Sequence, residues 1–412
     1  MKLPIITTLR KRAEAASVDS PLAYIDTYWE QLVRTNTEDR GTLIGLPNPY
    51  IIPSRDDHDH YNFEEQYYWD TYFTLLGLVE PKYEQLATGM VENLIVLFKR
   101  FGLIPNASRM YFTSRSQPPL LTSMIFHVYE TFGKDKEWLL EHMKIAQAEY
   151  EQVWMNARHP QWHKVHKGLS RYYQIDVLHD LAEAESGWDM TPRFERKCLD
   201  YLPIDLNALL YKYELDFARA ADIANEAAEA KKWRVAAVAR KRAINELMWG
   251  KLRGFFFDYN YQKKELGGVW SLAGYYTMWA GLATPEQAAR MVKNLSKFEK
   301  KGGLTTTTKP LIDMSMFGSL KTQWAYPNGW APLHYMVIEG LRCYGYHEEA
   351  DRITAKWLHT NLVWFKRHGV FMEKYNVVNP RKHPLEGVYP SQTGFGWTNG
   401  VFVHLARNQS QQ

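Results

Sequence analysis

Gln323-Trp324-Ala325-Tyr326-Pro327-Asn328-Gly329-Trp330-Ala331-Pro332 sets the reading of this chain. Two tryptophans, two prolines and a glycine within ten residues make a poor helix or strand, because Pro327 has no N–H to donate and Gly329 permits a positive φ. The segment reads as a shaped turn that presents aromatic faces and the Gln323 amide. A helix-like stretch from Leu333 to Leu341 follows and anchors the turn on a rigid element. Indole faces beside a side-chain amide suit a sugar, which offers C–H faces for stacking and hydroxyls for hydrogen bonding.

Outward from this turn, helical spacing dominates. Leu86, Met90, Leu94, Leu97, Phe98 and Phe101 recur at intervals of three and four and predict a helix over 82–101. Residues 206–248 are rich in Ala, Glu, Lys and Arg and predict helix up to Gly250. Ile353, Trp357, Leu358, Val363 and Trp364 predict a helix over 347–365 that stops at Gly369. Strand signals are short: 254–259, 303–308 and 369–372. There is no βαβ alternation and no glycine-rich phosphate loop. The chain therefore reads as all-α, with its Pro-, Gly-, Asn- and aromatic-rich segments in the connections, where sites are commonly built.

Composition narrows the function. Of 412 residues, 45% are hydrophobic and 23% charged, which suits a folded globular chain with a large core. The 15 Trp and 26 Tyr supply rings with polar handles, for core or for sugar. The net charge of +4 is spread out; Lys231-Lys232 and Arg240-Lys241-Arg242 read as solvated helix faces, which argues against a nucleic-acid partner. Cys198 and Cys343 stand alone, with no metal-binding spacing. Two isolated cysteines, no membrane span and a basic rather than apolar opening segment together predict a cytoplasmic protein. The expected organisation is a lead-in over 1–20, one catalytic domain over 21–407 and a polar tail over 408–412.

Hydrolysis of a glycosidic bond needs one carboxyl that stays protonated and another that is ionised. Asp189 follows Gly187 and Trp188, and an indole neighbour lowers hydration and raises a carboxyl pKa. Glu373 follows the apolar run Val370-Phe371-Met372. Among 46 acidic residues these two stand out by context, against the plain alternative of surface or ion-paired carboxylates.

Several blocks resemble the trehalases, a family of α-glycoside hydrolases. Gln323 to Pro332 is similar to one family signature, and Phe63-Glu64-Glu65-Gln66-Tyr67-Tyr68-Trp69-Asp70-Thr71-Tyr72 to the other. Further matches, in the family's order, are Leu46-Pro47-Asn48-Pro49-Tyr50, Ile104-Pro105-Asn106, Ser114-Arg115-Ser116-Gln117-Pro118-Pro119, Glu185-Ser186-Gly187-Trp188-Asp189, Pro203-Ile204-Asp205-Leu206-Asn207, Glu373-Lys374-Tyr375 and Gly394-Phe395-Gly396-Trp397-Thr398-Asn399-Gly400.

The resemblance implies an (α/α)6 barrel and an inverting mechanism. It makes Asp189 the general acid and Glu373 the general base, about 6.5–9.5 Å apart with a water between them. It assigns sugar contacts to Phe63, Trp69, Asp70, Asn106, Arg115, Ser116, Gln117, Gly187, Gln323, Trp330 and Trp397. It implies no cofactor and no metal. Asp56-Asp57-His58-Asp59-His60 has the composition of a divalent-ion site, and also of an exposed polar loop.

The chain departs from the family pattern in four places. Asn62 stands where a substrate-binding Arg is expected, and Ala325 where the motif has Asp. Val388 stands at the position of a family Glu. The family's Arg-Pro-Glu-Ser block has no counterpart, with Arg171 as its nearest candidate and Arg55 as the candidate stand-in for the arginine at Asn62. The expected activity is cleavage of α,α-trehalose to two glucose molecules. The alternatives are another small α-glycoside (glucosylglycerate, mannosylglycerate, kojibiose or an oligosaccharide end) or a sugar-binding protein with a relaxed site. An (α/α)6 epimerase or lyase with His166, His179 or His334 as base is a further class.

Overall fold

The computed structural model describes residues 19–55, 63–310, 322–387 and 390–410. The Asp56–His60 cluster, Asn62 and Val388 lie outside the described residues, as does most of the expected lead-in.

Among the described residues the helices are α1 (Asp19–Leu32), α2 (Tyr68–Leu75), α3 (Glu84–Phe101), α4 (Leu121–Phe132), α5 (Lys136–Glu149), α6 (His179–Glu185), α7 (Ile204–Ala224), α8 (Ala227–Met248), α9 (Tyr276–Trp279), α10 (Pro285–Asn294), α11 (Ala331–Cys343), α12 (His347–His368) and α13 (Gly396–Ser410). Their starts and stops follow local chemistry. Thr284 and Gln287 form a reciprocal cap at the start of α10. Gly102, at φ 76°, ends α3 and returns its amide to Phe98 O at 2.7 Å.

Six helices, α2, α4, α7, α9, α11 and α13, pack side to side in that order, and α13 closes the circle on α2. The helices between them in sequence lie outside: α3 against α2 and α4, α5 against α4 and α7, α8 against α7, α12 against α11 and α13, and α1 against α13. This is an (α/α)6 barrel. Burial explains which helix is inside. All eight residues of α2 are buried, and α11 is buried from Ala331 to Ile338. In α8, by contrast, only one face is buried, through Ala230, Trp233, Ala237, Arg240, Ala243, Ile244 and Met248.

Two expectations are corrected. The helical stretch 206–248 is two helices, broken at Asn225, which takes φ 62°. Asn is one of the few residues that enters that region readily, and a composition rich in helix formers hides the stop. The turn at Gln323 to Pro327 leads into a strand, Asn328–Trp330, paired antiparallel with Lys374–Asn376 in the register Trp330↔Lys374. The other strands are two or three residues long, in small sheets between the helices.

Candidate active site

Every expected site residue lies in a segment leading into an inner helix or in its first turns. Phe63 precedes α2 and Trp69 and Asp70 open it, Asn106, Arg115 and Gln117 lie in the connection before α4, and Gly187 and Asp189 in the segment before α7. Gln323 and Trp330 precede α11, Glu373 precedes α13, and Trp397 opens α13. Because each outer helix returns the chain to the same side, one ring face collects them all.

The loop before α4 is tied down by backbone bonds. The Asn106 amide N–H donates to Arg115 O at 3.0 Å, and Asn106 Nδ2 donates to Ser116 O at 3.3 Å. Gln117 Oε1 accepts from the Trp69 amide at 3.0 Å, which joins this loop to α2. Glu185, completely buried, accepts from the amides of Ser116 at 2.8 Å and Tyr173 at 2.7 Å, and His163 Nε2 lies 3.1 Å from it. Arg115 is half-buried, and its Nε has no partner. No carboxylate pairs with it among the described residues, so its charge faces the Asp189 side of the site uncompensated by a salt bridge. Burial pulls its pKa down, against the pull of Asp189 and Glu185.

Gly187 is at φ 72°, and a Cβ there would meet the Trp69 indole at 2.7 Å, so glycine lets the acid loop lie on that ring. Trp188, Trp324 and Trp330 then form a stack. The Trp188–Trp324 centroids are 5.5 Å apart at 18°, and those of Trp324–Trp330 are 3.7 Å apart at 3°. Trp397 meets both Trp324 and Trp330 edge-on at 76°. Trp330 and Trp69 are almost wholly buried. They form the floor and support of the site rather than the open indole faces expected from sequence. The Trp397 indole N–H donates to Glu373 O at 3.0 Å and so ties α13 to the start of the strand that follows Glu373. Phe63 is half-buried, edge-on to Tyr67 and Phe395.

Asp70, Asp189 and Glu373 act on one another electrostatically. Burial pushes the Asp189 carboxyl up to about 7; neighbouring Glu373 adds to the shift, and Arg115 and Lys374 oppose it. Burial also holds Asp70 well above the usual carboxylate range, with Glu373 and Asp189 contributing. Glu373 is completely buried, and its Oε2 lies 2.6 Å from Lys374 Nζ. One buried carboxyl is thus raised towards neutrality, and a second lies against an ammonium.

Arg171 does not reach this face. It donates to Trp162 O, Leu199 O, the Tyr261 hydroxyl and Gln161 O, all within the outer part of the fold. Arg55 is exposed. His334 is structural: its Nδ1 lies 2.8 Å from Trp330 O, its Nε2 accepts from the Leu304 amide at 2.8 Å, and burial pulls its pKa down to about 3. A separate cleft of about 480 Å³, lined by Trp29, Asp26, Glu80, Tyr83 and Arg407, shares no residue with the site. No metal-binding cluster is found among the described residues.

A family model for trehalases matches residues 6–186 and 176–409. The chain belongs to the trehalase family. This trehalase-family chain is 32% identical to a probable trehalase of Eremothecium gossypii, over 88% of the chain and 58% of that protein. It is 32% identical to a cytosolic neutral trehalase of Neurospora crassa, over 91% of the chain and 60% of that protein. It thus spans about three fifths of the length of these curated relatives. A solved neutral trehalase of Saccharomyces cerevisiae superposes with a TM-score of 0.75 at 32% identity, covering 87% of this chain and 73% of that one. A mannosylglycerate hydrolase of Thermus thermophilus shares the fold with a TM-score of 0.68 at 18% identity, covering 93% and 99%.

The sequence alone assigns no role to two residues that build this region, Glu185 under the Arg115 loop and Lys374 against Glu373; Trp188 and Trp324, read there as an indole neighbour and a presented ring, form the stack. Each lay inside a quoted block; the signal available was a charged or aromatic residue directly beside an assigned one.

Proposed function

We propose that this chain is an inverting α-glycoside hydrolase that cleaves α,α-trehalose to two glucose molecules. Asp189, protonated below about pH 7, gives its proton to the glycosidic oxygen as the C1–O bond breaks. Glu373 takes a proton from water as that water attacks C1 from the opposite face of the ring. One glucose leaves as the β anomer and the other as the α anomer. Asp70, Asn106, Arg115 and Gln117 hold sugar hydroxyls, and Trp69 supports the ring position from below.

The observation that carries this reading is the contrast between the two carboxyls. One is raised towards neutrality by burial, and the other is held against an ammonium. The neutral trehalases among the relatives support the substrate, and their cytosolic naming supports a cytosolic location. No helix among the described residues is long and apolar enough to cross a membrane.

The second reading is another small α-glycoside on the same machinery. Ala325, nearly buried, stands where the family motif has a carboxylate, and Arg171 is spent on backbone oxygens. A site that loses a hydrogen-bonding group relaxes its preference, in favourable cases by about 10⁴-fold. Incubation with a panel of α-glycosides, followed by NMR of released sugar, tests both readings. Trehalose turned over fastest supports the first, another glycoside turned over fastest selects the second, and no turnover of any overturns both.

A further inference from the structure

We propose that Lys374 is a positioning residue for hydrolysis: seated on the end of the indole stack, its ammonium fixes the Glu373 carboxylate in place relative to Asp189. The proposal rests on Glu373 acting as the general base.

The geometry is unusual for an ion pair with a merely structural role. Lys374 Nζ and Glu373 Oε2 are 2.6 Å apart, and both side chains are completely buried. Burying an ammonium and a carboxylate is costly, and a structural pair offsets the cost by joining distant segments. These two are sequence neighbours, so their contact closes no loop and joins no two elements. Successive residues of an extended chain normally point to opposite faces, so a pair between neighbours requires one side chain to fold back. The aromatic column contacts Lys374 directly. Its Nζ lies 5.0 Å from the Trp330 ring centroid, and Trp330 pairs with Lys374 across the two-stranded ladder. Trp324 covers one face of Trp330 at 3.7 Å, which leaves the other for the ammonium.

The column continues to the acid. Trp324 stacks on Trp188, and the Arg193 guanidinium sits over Trp188 at 4.4 Å. Arg193 is itself locked by Asp205 and Asp258, at 2.7–3.0 Å. The order is therefore cation, three indoles, cation: Arg193, Trp188, Trp324, Trp330, Lys374. Asp189 directly follows the indole at one end, and Glu373 directly precedes the ammonium at the other. Stacked rings are stiff in the stacking direction, so the column acts as a spacer between acid and base. Among the described residues, Lys374 from its own strand, Asp189 from the segment before α7 and Asp70 from α2 bear on Glu373, and Arg115, before α4, bears on Asp189.

The test compares Lys374→Met, Lys374→Arg, Glu373→Gln and the Glu373→Gln/Lys374→Met double variant in the full chain. Trehalose hydrolysis is followed by steady-state kinetics. Lys374→Met is expected to cut kcat by ~10²-fold, with KM changed less than about threefold. Lys374→Arg, which keeps a cation on the indole, is expected to recover most of that rate. In the Glu373→Gln background, the Lys374→Met change is expected to cost little further rate, because Lys374 acts through Glu373. The double variant buries neither charge, so it supplies this readout even where Lys374→Met alone fails to fold. An unchanged kcat in Lys374→Met, or additive losses in the double variant, overturns the proposal. A wild-type chain that hydrolyses no α-glycoside, or a fully active Glu373→Gln, instead overturns the reading on which it rests.

Discussion

Gln323 donates its side-chain amide to the backbone carbonyl of Asp189 at 2.7 Å, and it does so from complete burial. The turn before α11 thus braces Asp189, more than a hundred residues earlier in the chain. The Gln323 Oε1 on the same side chain is buried without a partner. Gln323→Met leaves the Asp189 carbonyl unpaired, a loss of about 1–3 kcal/mol of stability. It also loosens the acid loop, so kcat falls by ~10–100-fold with KM little changed. Steady-state kinetics and urea unfolding measure both; a raised KM with kcat intact would make Gln323 a sugar contact instead.

The Asp189 carboxyl at about 7 fixes a sign for stability. Its ordinary value is near 3.8, so between about pH 4 and 7 the folded chain holds a proton that the unfolded chain has lost. That contribution is full below pH 4 and is lost as pH rises through 7. Asp189→Asn removes it, so the variant gains thermal stability relative to the parent at pH 8 and gains nothing at pH 4. Melting curves at the two pH values check this, and a constant difference would contradict it.

The same value sets the basic limb of the rate. Hydrolysis needs the protonated acid, so kcat/KM falls as pH rises past about 7. A profile still rising at pH 8.5 would show that Asp189 is not the proton donor.

Arg115 tests the link between strain and function. It is a half-buried cation with an unpaired Nε and no salt-bridge partner among the described residues. Arg115→Met is expected to lower kcat/KM for trehalose by ~10²–10³-fold while the melting temperature holds or rises. A marked loss of stability would mean that Arg115 serves the fold.

Arg193 is the opposite case. It is completely buried between two carboxylates, Asp205 and Asp258. Arg193→Met strands both, and the expected loss is about 3–5 kcal/mol, read by urea unfolding. A small loss would mean that water or the remaining bonds hold that loop.

Much of this architecture could be read directly from the chain, because helix spacing and motif order are local signals. The α3 stripe from Leu86 to Phe101 and the Gly369 stop of α12 are examples. Asn225 was hidden because its stop depends on one backbone conformation inside a run of good helix formers. The roles of Trp330 and Arg171 were hidden for a different reason. Motif matching marks a residue as important, but which face it presents is decided by packing from distant segments. Trp330 is covered by Trp324 and Lys374, and Arg171 by carbonyls from 161, 162 and 199. Lys374 went unread because its significance is a contact with its own neighbour, which no spacing rule marks.

The most direct test of the account is ¹H NMR of the first products released from α,α-trehalose, recorded before mutarotation. A water activated by Glu373 opposite the Asp189 proton donor yields β- and α-glucose in equal initial amounts. Release of α-glucose alone would mean retention, and the pairing of Asp189 as acid with Glu373 as base would fall.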